Sequence, residues 1–409
     1  MRGATRWATA LGSVAAFAAV AVAAWSRAQK QHGLTDFHVF WQAGYNFAYR
    51  LPLYQPPEGA GHFNYPPFAA QVFQAFALLP LTAAAWLFYV ASVGLLLVAA
   101  RLSHDIVQHL EPTRQRGPLA MVMALCCSAA FVLDNLDHVQ VNLLILVLCL
   151  MGIWAFIRRH EVAAAGWLVA AAGIKLTPLF LLAWAVLRGS RKMIVAAAGF
   201  GVLSLVLPIV QRGPSQGIAD LTAYYHSFLQ HFAAGGVVAS FRNQNLGAMI
   251  YRATTPLAGG DPPYEYAYLP SLAGAAPLIY RTLVIAILLA FLIHVIRLQM
   301  DRQPIGTLEI TSAFLISPLL SGLTLKGHMV AFLFVSYVFF TLDRTAMTPA
   351  ERTVLGCAWA GIGLIGLGRD VVGSRLHHYL QGYSAFVWVI LLLFALSLAW
   401  NRRQVASAR

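Results

Sequence analysis

Long apolar runs recur along the whole of this sequence, and they constrain its fold more than any other feature. Of its 409 residues, 59% are hydrophobic and only 11% are charged, and its mean hydropathy is +0.67. One soluble core could not bury that much apolar surface. The sequence therefore predicts an all-α protein that crosses a membrane many times, with about 10–12 transmembrane or half-membrane helices in one domain over residues 1–409.

Several runs are long enough for ordinary spans. The first, Trp7 to Trp25, is not followed by a small-x-small cleavage site and a soluble domain, so we interpret it as a retained helix rather than a signal peptide. Further spans are predicted at Leu81–Leu102, at about Leu119–Leu133 and at Val141–Ile157.

Other apolar runs are too short. Val162–Ile174 and Leu179–Leu187 meet at Lys175, and at about 1.5 Å per residue they reach only about 20 and 14 Å, against the ~30 Å of a bilayer core. Two similar pieces between Leu308 and Leu342 meet at residues 321–328. These segments predict two hairpins of short helices, or a locally thinned bilayer, with a lysine at each tip.

The net charge of +13 is explained by membrane topology. No soluble basic module with exposed aromatic residues is present, so nucleic acid is not expected as a partner. A cytoplasmic N-terminus places 17 basic residues inside and nine outside, which predicts that both termini are cytoplasmic. The segments from about 26 to 80 and from about 212 to 275 then form the two large outer loops.

The residue pattern of the predicted first outer loop is unusual for a segment that only connects two spans. Between Asp36 and Tyr49, apolar residues recur at a spacing of three and four, which predicts a helix lying along the membrane surface. Tyr65 precedes a double proline that favours the start of a second short helix. The sequence thus predicts two interfacial helices outside the membrane.

Polar groups that could form a site collect on this outer side. An ammonium within a membrane is expensive unless an anion or a wet cavity receives it, so lysines at the hairpin tips are functional candidates; the alternative is that they snorkel into headgroups. No P-loop, DxD or HExxH motif is present, and the four cysteines lack metal-ligand spacing, so we expect neither a metal nor a cofactor. The candidate residues are Asp36, Gln140, Asn142, Lys175, Asn243, Gln244, Lys326 and His328.

An acid, amides and cations that open onto lipid suit a substrate with hydroxyls, a phosphate and a long apolar tail. A polyprenyl-phosphate sugar has these three parts, with a glycolipid or glycan as acceptor and membrane lipids as surroundings. A transporter or flippase is the main alternative, because broken hairpins with cations also form transport sites. A purely structural membrane subunit would leave the polar residues without a role.

Six motifs in order resemble glycosyltransferase family 87. They are DFHVFWQAGYNFAYRLPLY, FNYPPFAAQVFQAFALLPL, QVNLLILVL, GIKLTPLFLLAWAVLRGSRK, NQNLGAMIYR and SPLLSGLTLKGHMVAFLF. The resemblance implies the membrane fold of C-type glycosyltransferases (GT-C) and transfer of a sugar, most readily mannose, from a polyprenyl phosphate. The sequence departs from the family at Leu325–His328, where members often have a tryptophan and two histidines.

The resemblance also implies roles for residues of this sequence. The first-loop aspartate of the family falls on Asp36, which we predict to be the base that takes the acceptor proton in an inverting transfer; the alternative is a helix cap. Lys175 is predicted to stabilise the departing phosphate, with His328 and Lys326 as further candidates. Gln140, Asn142, Asn243 and Gln244 would orient sugar hydroxyls or cap helices. Trp41, Tyr54 and Tyr65 would form an aromatic wall or an interfacial belt.

Overall fold

A computed structural model describes residues 22, 25–26, 35–55, 61–112, 118–255, 267–344 and 347–407. Most of the predicted first span, Trp7–Trp25, lies outside the described residues. All regular structure in the described part is helical. From Thr35 onward, the helices of the described residues are α1 (Thr35–Ala48), α2 (Pro67–Phe73), α3 (Leu81–Leu110), α4 (Pro118–Asp137), α5 (Asn142–Ile157), α6 (Glu161–Ile174), α7 (Leu179–Arg188), α8 (Arg191–Arg212) and α9 (Pro214–Tyr224).

A π-helical turn, Tyr225–Leu229, follows α9, and 3₁₀ turns lie at Phe76–Leu78, Pro270–Ala275 and Lys326–Ala331. The later helices are α10 (Gln230–Ala233), α11 (Leu246–Thr254), α12 (Ala276–Met300), α13 (Thr307–Leu320), α14 (Phe332–Phe340), α15 (Pro349–Gly366), α16 (Arg369–Val372), α17 (Ser374–Gly382) and α18 (Ala385–Ser407).

Four of these segments are long and apolar enough to cross a membrane: Leu81–Leu110, Pro118–Asp137, Arg191–Arg212 and Pro270–Met300. A fifth span exists if Ser374–Gly382 and Ala385–Asn401, bent by 58°, cross together. The prediction of an all-α, multi-pass membrane protein is confirmed.

The two predicted hairpins of short helices are present. Helix α6 ends where Lys175 turns to an extended conformation (φ −149°, ψ 130°), and α7 starts after Pro178. Helix α13 ends at Leu320, and the second arm starts at Lys326 and continues through α14. The last turn of α13 contacts the first tip, because the Ser317 hydroxyl donates to the Thr177 carbonyl at 3.0 Å. Both tips therefore face one region of the molecule.

The first loop packs its apolar face against protein. Phe37 and Phe40 on α1 are buried. The centre of the Phe37 ring lies 5.3 Å from that of Phe88 on α3, and the centre of the Phe40 ring lies 4.9 Å from that of Phe73 on α2. Gly44 lets the helices touch, since a Cβ there would be 2.5 Å from the Phe73 carbonyl oxygen. This contact places the first turn of α1, which carries Asp36, beside the hairpin tips.

Buried arginines hold the connecting segments in place. Arg212, at the end of α8, pairs with Asp220 at 2.6 Å and donates to the carbonyls of Asn46, Phe47 and Leu51. Arg188 similarly pairs with Glu309 at 2.8 Å. Removing one partner of such a buried pair leaves an uncompensated charge, so these pairs fix where the helix ends lie.

The contact at Gly44 predicts opposite outcomes for two Gly-to-Ala substitutions in helix interiors. Gly44→Ala should destabilise the protein by about 1–3 kcal/mol, because the methyl group would collide with backbone of α2. Gly94→Ala on α3 should be neutral or stabilising by up to about 1 kcal/mol, because nothing lies within 4 Å and alanine favours helix. Apparent melting temperatures of the purified proteins measure the difference; equal melting temperatures would contradict the described packing.

Candidate active site

A continuous chain of hydrogen bonds joins the first loop to the first hairpin tip. Gln140 Nε2 donates to Asp36 Oδ2 at 2.5 Å, and Asn142 Nδ2 donates to Gln140 Oε1 at 2.6 Å. Lys175 Nζ donates to Asn142 Oδ1 at 2.7 Å. The structure thus brings together four predicted site residues that lie up to 139 positions apart in the sequence. An acid and a cation stand at opposite ends of this network.

Asn135 braces the middle of this network. Its side chain is fully buried, accepts the Asn142 backbone N–H at 3.1 Å and donates to the Gln140 carbonyl at 3.1 Å. These bonds fix the turn between α4 and α5, where Val139 has a positive φ of 49°. Because Asn135 bonds to the backbone of this turn, the side chains of Gln140 and Asn142 are available to bond to Asp36 and Lys175.

A cavity of about 640 Å³ lies against this network. Its polar lining comes from the first loop, the α4–α5 turn and both hairpin tips. The polar lining residues include Asp36, His62, Asn64, Gln140, Lys175, Thr177 and His328. The apolar lining includes Leu179, Phe180 and Ala183 of α7, and Phe228, Leu229 and Phe232 beyond α9. One cavity therefore offers both charged groups and a surface for hydrocarbon.

His328 enters the cavity from the second tip. Its Nδ1 lies 3.2 Å from the Leu323 carbonyl oxygen and 3.3 Å from the Leu325 backbone nitrogen, so the local backbone orients the ring. A smaller cavity of about 70 Å³ shares Lys175 and His328 with the first, and its other lining includes apolar side chains such as Phe314 and Phe332.

Tyr65 forms an aromatic wall of the cavity. Lys175 Nζ lies 5.9 Å from the centre of its ring, and the Phe40 ring packs on it at 4.5 Å. Burial raises the pKa of the Tyr65 hydroxyl, and the neighbouring Asp36 carboxylate raises it further, so the hydroxyl stays neutral. Tyr54 supports this wall without lining the cavity, because its hydroxyl donates to the Tyr65 carbonyl at 2.8 Å.

Four other predicted site residues lie apart from the cavity: Trp41, Lys326, Asn243 and Gln244. Trp41 Nε1 donates to the Leu79 carbonyl at 2.9 Å, at the α1 surface. Lys326 Nζ is 3.7 Å from Asp134 Oδ1. The side-chain amide of Asn243 bonds to backbone groups. It donates to the Val238 carbonyl and accepts a hydrogen bond from the Thr324 N–H at 2.8 Å.

Gln244 is also fully buried, and its Nε2 donates to the carbonyls of Phe241 and Gln381. Its backbone N–H donates to the Thr324 carbonyl at 2.7 Å. Asn245 next to it donates to the carbonyls of Ser321 and Gly322. The segment 243–245 therefore holds the second hairpin tip, on which His328 lies.

Sequence reasoning did not single out several cavity residues. His62 directly precedes one of the quoted motifs, and Asn64 and Thr177 lie within two of them, which was the available signal. Tyr224 and Phe228 gave no signal, because nothing in their local pattern distinguishes them from other aromatic residues of the loop. Within the described part of the chain, no group of three His, Cys, Asp or Glu side chains could hold a metal ion.

Two comparisons with known proteins bear on this cavity. The chain is 26% identical over 342 residues to the polyprenol-phosphate-mannose-dependent alpha-(1-2)-phosphatidylinositol pentamannoside mannosyltransferase of Mycobacterium tuberculosis (strain CDC 1551 / Oshkosh), with 81% of this chain and 72% of the relative covered. The family model described as Glycosyltransferase family 87 matches residues 63–322, which is well over half of the chain. The matched stretch includes Gln140, Asn142 and Lys175. The chain is therefore a membrane glycosyltransferase that belongs to glycosyltransferase family 87.

Proposed function

We propose that this protein transfers a hexose, with mannose the first candidate, from a polyprenyl-phosphate donor to a lipid-linked or glycan acceptor. The observation that carries the proposal is the hydrogen-bonded chain from Asp36 to Lys175 along a cavity with both polar and apolar lining. The relative from Mycobacterium tuberculosis, whose name specifies polyprenol-phosphate-mannose, supports the choice of donor.

Asp36 acts as the general base in this mechanism. Its carboxylate takes the proton of the acceptor hydroxyl while that oxygen attacks the anomeric carbon of the donor. The bond from the anomeric carbon to the phosphate oxygen breaks with its electrons, so the polyprenyl phosphate leaves as an anion and the anomeric configuration inverts. Gln140 keeps the carboxylate oriented toward the cavity by donating to Oδ2.

Lys175 stabilises the negative charge that develops on the leaving phosphate. Its ammonium is held by Asn142 and is largely buried, so it interacts with the phosphate at lower local dielectric than in water. His328 lines the same cavity and offers a second hydrogen-bonding group to the phosphate or sugar. The α7 residues Leu179, Phe180 and Ala183 then receive the first isoprene units.

The bias of basic residues orients the enzyme in a bacterial cytoplasmic membrane. On this proposal both termini are cytoplasmic, and the cavity opens toward the outer face, where lipid-linked sugars meet their acceptors. Asp36 and the Lys175 tip then both lie on the outer side.

Replacing the proposed base should abolish transfer without preventing donor binding. We expect Asp36→Asn to lower the transfer rate about 100- to 10,000-fold, because asparagine cannot take the acceptor proton. The assay uses purified protein in nanodiscs, radiolabelled polyprenyl-phosphate mannose and a membrane lipid extract, with label followed into glycolipid. Donor binding is measured separately on both proteins.

The matched control is Asp105→Asn, which removes an acid of α3 that pairs with Arg101 away from the cavity. This control should transfer at the wild-type rate. Transfer by Asp36→Asn at the control rate would contradict the role of Asp36. If wild type moves the donor between membrane leaflets without transferring its sugar, the proposed reaction is wrong.

The two hairpin lysines should differ in their effect on transfer. Lys175→Met removes the cation beside the proposed phosphate position and should lower the transfer rate about 100-fold or more. Lys326→Met breaks only a 3.7 Å ion pair with Asp134 outside the cavity. The fold-decrease in its transfer rate should therefore be at least about tenfold smaller than that of Lys175→Met. Rates at saturating donor distinguish the two; equal losses would contradict the assignment of the phosphate to Lys175.

A further inference from the structure

A second large cavity lies at the other end of α6 from Lys175. It is a groove of about 760 Å³ between α6 and α8. Since α6 has 14 residues, this groove begins about 20 Å from the candidate active site. The residues of its lining that matter here are Arg159, Val162, Gly166, Trp167, Lys192 and Phe200. We propose that this groove binds one anionic phospholipid, with an acyl chain along α6 and the phosphate between Arg159 and Lys192.

The long axis of the groove suits a hydrocarbon chain. Val162, Gly166 and Ala170 recur every four residues on α6 and line one side, and Phe200 of α8 lines the other. The absence of a side chain at Gly166 widens the groove, since a Cβ there would stand 3.5 Å from the Phe200 ring. Trp167 and Val162 are 37% and 54% exposed, so apolar surface in the groove is available to a ligand.

The mouth of the groove carries excess positive charge. Arg159, His160 and Lys192 line it together with a single acid, Glu161. The Glu161 carboxylate accepts the Ser190 backbone N–H at 3.0 Å and also the Ser190 hydroxyl. Among the residues that the structure describes, neither Arg159 nor Lys192 forms an ion pair with a carboxylate. A phosphate would complement this charge.

Arg159 stands at a boundary between apolar and polar surroundings. It also lines a separate cavity of about 530 Å³, with His109, Gln299, Arg302 and Gln303. Its backbone is left-handed (φ 66°), a conformation that glycine adopts at lower cost. An amphiphile whose phosphate joins an acyl chain to a polar headgroup matches this arrangement.

The position of the groove relative to the membrane favours a lipid over a soluble anion. Helix α8 is one of the four candidate spans in the described part of the chain, and its side chains Val195 and Val202 are 72% and 59% exposed, as expected for a lipid-facing surface. Lys192 lies in the first turn of this span. A basic side chain at the end of a span lies at the depth of phospholipid headgroups.

Native mass spectrometry of the whole protein tests the charged part of the site. Phosphatidylglycerol and phosphatidylcholine with identical acyl chains are titrated separately. Wild type should bind one phosphatidylglycerol in preference to phosphatidylcholine. The double variant Arg159→Gln/Lys192→Gln should weaken that binding roughly 30-fold, as expected for the loss of two charges.

The matched control, Arg158→Gln/Arg191→Gln, removes the same charge from adjacent positions that do not line the groove. It should weaken binding less than about fivefold. Equal weakening by the two double variants would mean a general attraction of anionic lipid to this face and would overturn the proposal. Equal binding of the two lipids by wild type would also overturn it.

A second pair of variants tests the acyl chain. Gly166→Leu fills the groove and should weaken phosphatidylglycerol binding about tenfold or more. Gly199→Leu adds the same side chain on α8 where nothing lies within 4 Å, and it should bind like wild type. Glycerol 3-phosphate, added at the same concentration as the lipid, should not compete with phosphatidylglycerol for binding. Competition by this headgroup, or full binding by a Gly166→Leu protein that melts like wild type, would show a simple phosphate site and overturn the proposed lipid.

Discussion

A buried ammonium needs polar partners, and the way this protein supplies them to Lys175 determines much of its architecture. Lys175 ends α6 between two helices that are each too short to cross a bilayer, and it is only 8% exposed. Its Nζ donates a hydrogen bond to Asn142. Further hydrogen bonds through Gln140 connect Asn142 to Asp36 on a different part of the chain. Any arrangement that broke this network would leave a desolvated cation without compensation. The first loop and the first hairpin are therefore positioned by the same bonds that form the candidate active site.

Two buried arginines hold connecting segments in place in a similar way. Arg212 ties the end of α8 to the C-terminal end of α1, and Arg252 donates to the carbonyls of Ser240 and Asn243. Asn243 in turn holds Thr324 on the second hairpin tip. These bonds restrict the motion of the loops relative to the helices that they contact. Such rigidity suits a site that has to align an acceptor hydroxyl, an anomeric carbon and a leaving phosphate within a fraction of an ångström.

Much of this arrangement follows from the sequence, because length and charge are strong constraints in a membrane. The short apolar runs correctly predicted both hairpins, and placing Asp36, Gln140 and Lys175 on one side of the membrane anticipated that they meet. The partners of buried polar groups were harder to predict. Arg212 and Arg188 look like ordinary basic residues at the ends of spans, although both are buried in ion pairs. An amide such as Asn243 has the same chemistry whether it binds a sugar or a backbone carbonyl, and only the fold distinguishes these uses.

The proposed mechanism requires the donor to lie in the cavity between Asp36 and Lys175. A structure of the protein with a non-transferable phosphonate analogue of polyprenyl-phosphate mannose tests this most directly. We expect a phosphonate oxygen about 3 Å from Lys175 Nζ, the first isoprene units against Phe180, and the open face of the anomeric carbon toward Asp36. A phosphonate bound elsewhere, with Asp36 and Lys175 still joined only through Gln140 and Asn142, would contradict it.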